Sequence, residues 1–457
     1  MKGQFAKYLP YVLPSIFNMA TLNPKMGVSG QDALYELSDV LKEVQPADSE
    51  KKASIVTDEV EEKEVAIQML AVFIDELGES YFEYVPQTAQ VLLALTKFTA
   101  NDSIRTTCVS ALPGLIKCIK QKQGNQASQE MCNIAREYNK NIYDAMKEET
   151  ETECLCSQVS ALREIVLECG NGFYTQDEVK ELGESALRII DKSLGRIKEL
   201  ESIKDEEVED EDDALDQEDL ALLKEEGKNE YDLQLCAAEL LGSLFKTHQP
   251  FVADLVNTLR TVTLNDAFTS GIQKRLKFGL FVLDDMVEHL GPSYFAPADY
   301  MVIVQTVCKF ANNKSASLRQ ASCYGIGAIA QHGGESFAAH SELCLNSLNE
   351  AIQYQMTGRV NEKKEKSTQF HHARDNAIAS LGKILKHQKA LIKSNAAVYG
   401  QLVGNWVSLL PITHDTEEAS TQFEYLGEVV YTEPEILFTA DPQGAVNRVV
   451  KIFAEAW

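Results

Sequence analysis

Long apolar runs are missing from this sequence. No stretch approaches the ~18 consecutive apolar residues that a membrane-crossing helix needs, so no membrane partner is expected. Basic residues are scarce as well: 43 Lys and Arg stand against 69 Asp and Glu, a formal net charge of −26. Phosphate backbones need a basic footprint, so nucleic acid is excluded as the expected partner, and basic protein segments are the electrostatic complement. Cysteine is present ten times but scattered singly through apolar positions such as Cys108, Cys118, Cys132, Cys236, Cys308, Cys323 and Cys344. That scatter predicts reduced thiols in a cytosolic or nuclear protein rather than a disulfide framework. The start, MKGQFAKYLPYVLPSIF, is interrupted by Pro10 and Pro14 and is followed by no small-residue cleavage site, so it is not read as a secretory leader.

Chemistry-bearing motifs are equally thin. Gly325-Ile326-Gly327-Ala328-Ile329-Ala330 fits G-x-G-x-x-A in form, but a dinucleotide site needs a strand before it and a helix after it. Here both glycines fall inside a helical pattern, where they let neighbouring helices approach. Gly382-Lys383 lacks the upstream glycine of a phosphate loop. Cys154-Leu155-Cys156 lacks a second pair at zinc spacing. His340 with Cys344, and Asp285 with His289, are four apart and could each supply half a metal site, but no further ligands accompany them. His371-His372 points two ways around a helix, which suits a solvated position. No nucleophile, base and orienting group can be assembled from spacing. No catalytic, cofactor-binding or metal-ligating residue is therefore expected, and the chain is read as a binding protein, not an enzyme.

What the sequence does contain is one phrase, repeated. In Ser315–Phe337, SASLRQASCYGIGAIAQHGGESF, small and apolar residues recur at helical spacing and close on Gly333-Gly334. Glycine stops a helix there because it adopts positive φ without a Cβ clash. An aromatic residue then opens a second helix. The phrase returns at Ile74–Phe82, at Asp284–Phe295 and, more loosely, at Cys169–Tyr174. Helix pairs are predicted at about 60–98, 100–147, 151–199, 230–263, 266–311, 315–355, 366–410 and 415–456. A single hairpin cannot bury both its apolar stripes and must stack on its neighbours. Two helices every ~40–47 residues is the HEAT or armadillo period, so the predicted fold class is all-α, an α-α superhelix. Pro113 falls inside a first helix and is expected to kink it.

Four parts follow: a partial leading repeat and linker over 1–60, repeats over 61–200, an acidic linker over 201–230 and repeats over 231–457. Within the linker, Asp205–Asp219 holds eleven acids in fifteen positions and no base. Such a block repels itself and should be extended or weakly helical. It is either a solubilising insertion or a docking strip for Lys- and Arg-rich partners through Asp205, Glu206, Glu207, Glu209, Asp210, Glu211, Asp212 and Asp213. Gln355–Thr368 reads as a smaller basic loop, and a polar linker is expected around Gln45–Asp48.

Four separated blocks in one register carry a family resemblance: EEKEVAIQMLAVFIDELGESYFEYVPQ (61–87), FVLDDMVEHLGPSYFAPADY (281–300), LRQASCYGIGAIAQHGG (318–334) and NWVSLLPITHDTEEASTQFEYL (405–426). They resemble the C-terminal half of karyopherin-β nuclear transport receptors, in the importin beta-three (importin-five) branch, which also carries an acidic linker at this place. The similarity runs from about Phe5 to Phe453. The resemblance implies a HEAT-repeat carrier that shuttles between cytoplasm and nucleus through the pore. Such a carrier binds basic nuclear-localisation cargo, holds nucleoporin Phe-Gly repeats between neighbouring helices and is regulated by Ran-GTP. In the family the main Ran-GTP contacts lie in N-terminal repeats, which this stretch does not match, and the sequence is expected to be a fragment, a truncated gene model or a divergent short form of such a receptor. Second helices line the concave face in the family, which nominates Asn346, Asn349, Glu350, Asn405 and Trp406 here. Trp406 would be either a packed core ring or a stacking surface for a cargo lysine or arginine. The inner wall is expected to be negatively charged. Two other classes fit the same residues: a HEAT scaffold organising protein complexes, and a chaperone shielding histones or ribosomal proteins.

Overall fold

The computed structural model describes residues 2–22, 46–209, 217–291, 294–354, 360–438 and 441–456. They form two compact units, Met1–His248 and Gln249–Trp457. Among the described residues there is no strand, and both units consist of stacked helical hairpins, the all-α HEAT-repeat solenoid that the period predicts.

In the first unit, α1 (Leu9–Thr21) packs on α2 (Pro46–Leu77), and α2 leads through a 3-10 turn into α3 (Val85–Leu95). Two hairpins follow, α4 (Asp102–Lys122) with α5 (Gln129–Met146) and α6 (Thr152–Cys169) with α7 (Gln176–Glu209), and then α8 (Gln217–Thr247). The first helices α2, α4, α6 and α8 stack in that order, and the second helices pack onto them. The starts are written locally. The Asn101 side chain accepts from the Ile104 N–H at 2.9 Å and Ser128 Oγ accepts from the Met131 N–H at 3.0 Å, each relieving an orphan donor of a helix N-terminus. Thr175 and Glu178 make the reciprocal capping box that T-x-x-E encodes, with Thr175 N–H to Glu178 Oε2 at 2.7 Å and Glu178 N–H to Thr175 Oγ1 at 3.3 Å. The stops are glycines at positive φ, Gly78 at 52° and Gly170 at 73°.

The second unit opens on α9 (Ala253–Thr258), a π turn (Leu259–Thr263) and α10 (Leu264–Thr269). Then come α11 (Gln273–Leu290), α12 (Pro297–Cys308), α13 (Ala316–His332), α14 (Ser341–Gln353), α15 (Val360–His387), the short α16 (Lys389–Lys393), α17 (Ala396–Leu409), α18 (Thr416–Thr432), α19 (Pro434–Phe438) and α20 (Pro442–Ala456). First helices α11, α13, α15 and α18 stack in order. The paired glycines of α13 lie inside the helix and face both neighbours. A Cβ on Gly325 would fall 2.2 Å from Asp284 Oδ1 of α11, and one on Gly327 would fall 2.5 Å from Ser380 Oγ of α15. Their role is close approach, not phosphate binding.

An arginine at the fourth position of a first helix recurs in the two units. Arg105 donates to the Phe98 carbonyl and to Glu149, and Arg319 donates to the Asn313 and Lys314 carbonyls. Each ties a first helix to the chain end that leads into it.

Two expected loops and the state of the thiols change. The polar linker near Gln45–Asp48 begins a helix at Pro46, and most of the expected loop at Gln355–Thr368 is helix from Val360 onward. Lys, Glu, Gln and Ala are strong helix formers on exposed surface, so polarity alone marked the wrong feature. The thiols are not all free: Cys156 of α6 is joined to Cys236 of α8, Cα atoms 5.9 Å apart across 80 positions of sequence. The stacking of α6 on α8 brings them together, and no local spacing could reveal it.

Candidate partner-binding surfaces

Second helices expose one face each. On α14 the 3.6-residue period buries Cys344, Ser347, Leu348 and Ala351 and turns Asn346, Asn349 and Glu350 outward with Leu343. Three of the nominated residues therefore share one exposed face, where Gln353 Nε2 donates to Asn349 Oδ1 at 3.0 Å. On α17, Asn405 is exposed beside Gln401 and Gly404, while Trp406 points the other way. The indole of Trp406 is 0% exposed and its ring centroid lies 5.1 Å from that of Tyr425. Trp406 is core, and the stacking role proposed for it is corrected: no partner can touch it in this packing.

The exposed faces of α12, α14 and α17 are not strongly acidic. Met301 and Val302 are 46% and 58% exposed on α12, Leu343 is 42% exposed on α14 and Val398 is 43% exposed on α17. Glu342 and Glu350 are exposed carboxylates of α14, and α17 contains no ionisable side chain except the buried Tyr399. On these helices exposed amides and aliphatic groups stand beside the carboxylates Glu342 and Glu350.

The acidic block joins α7 to α8. Asp205, Glu206, Glu207 and Glu209 belong to the last turns of α7, so this part is helical. Asp210, Glu211, Asp212 and Asp213 lie outside the described residues. Asp216 also lies outside the described residues, and Glu218 and Asp219 belong to the first turn of α8.

Sequence reasoning missed a polar cluster on the first-helix layer of the second unit. A cavity of about 210 Å³ is lined there by Glu288, Tyr324, His332, Lys383 and Glu418 among others. Tyr324 donates its hydroxyl to Glu288 Oε2 at 2.6 Å, and the Lys383 ammonium pairs with Glu418 while lying 4.8 Å from the Tyr324 ring centroid. Burial, with the bond to Glu288 behind it, pushes the Tyr324 phenol upward. The signal was non-local: these residues come from α11, α13, α15 and α18. Among the described residues no group of three or more His, Cys, Asp or Glu is placed to hold a metal ion, and no helix is long and apolar enough to cross a membrane. His340 sits in the 3-10 turn before α14, and its companion Cys344 is a buried free thiol inside that helix.

Comparison with known proteins gives a consistent picture. No protein-family profile matches the chain. A probable importin-5 homolog of Dictyostelium discoideum is 24% identical over 431 residues, covering 91% of this chain and 37% of the relative. Importin subunit beta-3 of Saccharomyces cerevisiae is 21% identical over 459 residues, covering 99% of this chain and 39% of the relative. The chain thus spans about two fifths of the length of the curated relatives it matches. Among solved structures, the karyopherin Kap121p bound to the SUMO protease Ulp1p superposes with a TM-score of 0.68 at 16% identity, over 99% of this chain and 40% of that one. Kap121p bound to RanGTP gives 0.67 at 16% identity over the same shares, and Kap121p bound to Nup53p gives 0.66. At that identity the structural likeness speaks for the fold.

Proposed function

We propose that the chain is a member of the karyopherin-β family, in its importin-five branch, and serves nuclear import, binding basic nuclear-localisation cargo and Phe-Gly nucleoporin segments. It does so without catalysis, moving between cytoplasm and nucleus through the pore. The observation that carries this reading is the end-to-end match: stacked hairpins over 99% of the chain align with a karyopherin, and importin relatives align in sequence over nearly the same span. Two surfaces supply the binding. The acidic segment between α7 and α8 attracts Lys- and Arg-rich chain, and the amide face of Asn346, Asn349 and Asn405 offers paired donors and acceptors to an extended backbone. Ran-GTP is the proposed regulator, a reading that the structure of Kap121p bound to RanGTP supports.

A second reading has its own support. The contrast between an acidic segment and a nearly neutral face on α12, α14 and α17 suits a chaperone that shields histones or ribosomal proteins, and a scaffold would need neither surface. Pulldown with immobilised lysine-rich peptide, Phe-Gly repeat protein and Ran-GTP separates them. A carrier retains peptide and Phe-Gly repeats, a chaperone retains peptide alone, and a scaffold retains neither. Loss of both ligands would overturn the import reading.

A further inference from the structure

Of the ten cysteines, seven are buried, and the half-buried Cys132 faces the buried Cys169. Burial pushes the thiols of Cys108 and Cys323 up to about 12, and a thiol so shielded is a weak nucleophile. Cys156 and Cys236 differ in two ways. Both are only half-buried, and they face each other from adjacent first helices, α6 and α8, with Cα atoms 5.9 Å apart. That separation lies within the range of ~4.4–6.8 Å at which a disulfide closes without moving the backbone. Neighbouring Cys154 turns the other way, is buried and shares a hydrogen bond with Thr106 at 3.2 Å.

We propose that Cys156 and Cys236 are a redox-responsive modification site, a peroxide-formed and thiol-reversible staple between two consecutive repeats of the first unit. Hydrogen peroxide oxidises one thiolate to a sulfenic acid, its O–O bond breaking with release of one water equivalent. The facing thiolate attacks the sulfenic sulfur, the S–S bond forms, and hydroxide leaves and takes a proton to become a second water. Two thiols are thereby oxidised and one peroxide is reduced. A small thiol such as glutathione reverses the step by attack on one sulfur, and a second glutathione thiolate completes the exchange, giving oxidised glutathione and two protein thiols. In a reducing compartment such bonds are transient and signal-bearing, which sets this pair apart from a permanent structural bridge. The bond fixes α6 against α8, the helix that follows the acidic segment, so the redox state governs how readily these two layers separate.

The test uses the full chain, reduced with dithiothreitol and then exposed to hydrogen peroxide. Expected is a tryptic cross-link joining Cys156 to Cys236 that disappears on renewed reduction. The oxidised chain should melt about 5–10 °C above the reduced one, because the link restrains a long loop of the unfolded state. Cys236→Ser should lose both the cross-link and the shift while melting with the reduced wild type, and Cys154→Ser should keep both. Should Cys236→Ser fail to fold, the reduced and oxidised wild-type chains decide by themselves. The proposal is overturned if peroxide leaves both thiols open to alkylation, drives either to sulfinic acid without a cross-link, links Cys154 instead, or forms the bond with no change in melting.

Discussion

The guanidinium carbon of Arg319 lies 3.8 Å from the centroid of the Tyr354 ring, with Phe370 5.7 Å away on another element. Arg319 is only 2% exposed and donates to the Asn313 and Lys314 carbonyls, so a charge inside the second unit is held by aromatic faces and backbone oxygens. Arg319→Leu leaves those carbonyls unmet and removes the cation–π contacts, which should cost about 2–3 kcal/mol. Arg319→Lys should recover little of it, since an ammonium cannot stack its plane on the ring while reaching both oxygens. Urea unfolding followed by circular dichroism checks both; a lysine variant as stable as wild type would contradict the account.

Asp284 is 3% exposed, and neither of its carboxylate oxygens has a hydrogen-bond partner among the described residues. Burial, with Asp285 and Glu288 adding like charge, holds its pKa well above the ordinary carboxylate range. The folded state therefore binds this proton more tightly than the unfolded state. Its contribution to stability falls as pH rises from the unfolded value toward the folded one. Asp284→Asn should raise the melting temperature, and by more at pH 8 than at pH 5. An equal gain at both pH values would show that the carboxyl stays in one protonation state throughout.

Glu433 behaves in the opposite sense. Burial works against its charge, but hydrogen bonds from Lys393, Lys389 and Tyr399 overcome this and hold its carboxyl down to about 2. Tyr399 Oη donates at 2.7 Å and Lys389 Nζ approaches to 2.9 Å. With the folded pKa depressed, the stabilisation is complete above the unfolded value near 4.5 and is lost as pH falls toward 2. Glu433→Gln should lower the melting temperature by about 3–6 °C at neutral pH, and the two melting curves should converge in acid.

Trp406 and Asn405 are sequence neighbours with opposed consequences. Trp406→Ala should cost about 3–5 kcal/mol of stability through the cavity it leaves, with binding per folded molecule unchanged. Asn405→Ala should leave melting unchanged and weaken retention of an extended basic peptide if the second-helix face is used. Melting curves and peptide titration on each variant separate packing from recognition.

Replacing the acids of 205–219 by Ser and Gln should flatten the salt dependence of basic-peptide binding. Exposed charges act over a Debye length of about 10 Å at 0.1 M, so their share fades with salt while contacts of other kinds persist. An unchanged salt slope removes the acidic segment from the binding reading.

The hairpin count and most helix ends were legible because they are local. Asn101, Ser128, the Thr175–Glu178 box and the glycines at 78 and 170 each act within a few residues. The early starts of α2, α8 and α15 were missed because polar helix and linker share a composition. The pairing of Cys156 with Cys236 and the cluster around Tyr324 and Lys383 depend on which helix stacks on which, whereas the core reading of Trp406 was open from the sequence and holds. The nominated amides Asn346, Asn349 and Asn405 are exposed as a second-helix face requires, but the charge expected beside them was inferred from a total, and a total says nothing about place.

The near-neutral outward side of α12, α14 and α17 has a bearing on how a passenger would depart. Amide and aliphatic contacts keep their strength in brine, whereas the run of carboxylates between α7 and α8 relaxes its hold as ions accumulate. A ligand held on α14 or α17 would therefore leave at a rate that salt barely changes, whereas one held by the acids would leave faster with each addition of salt.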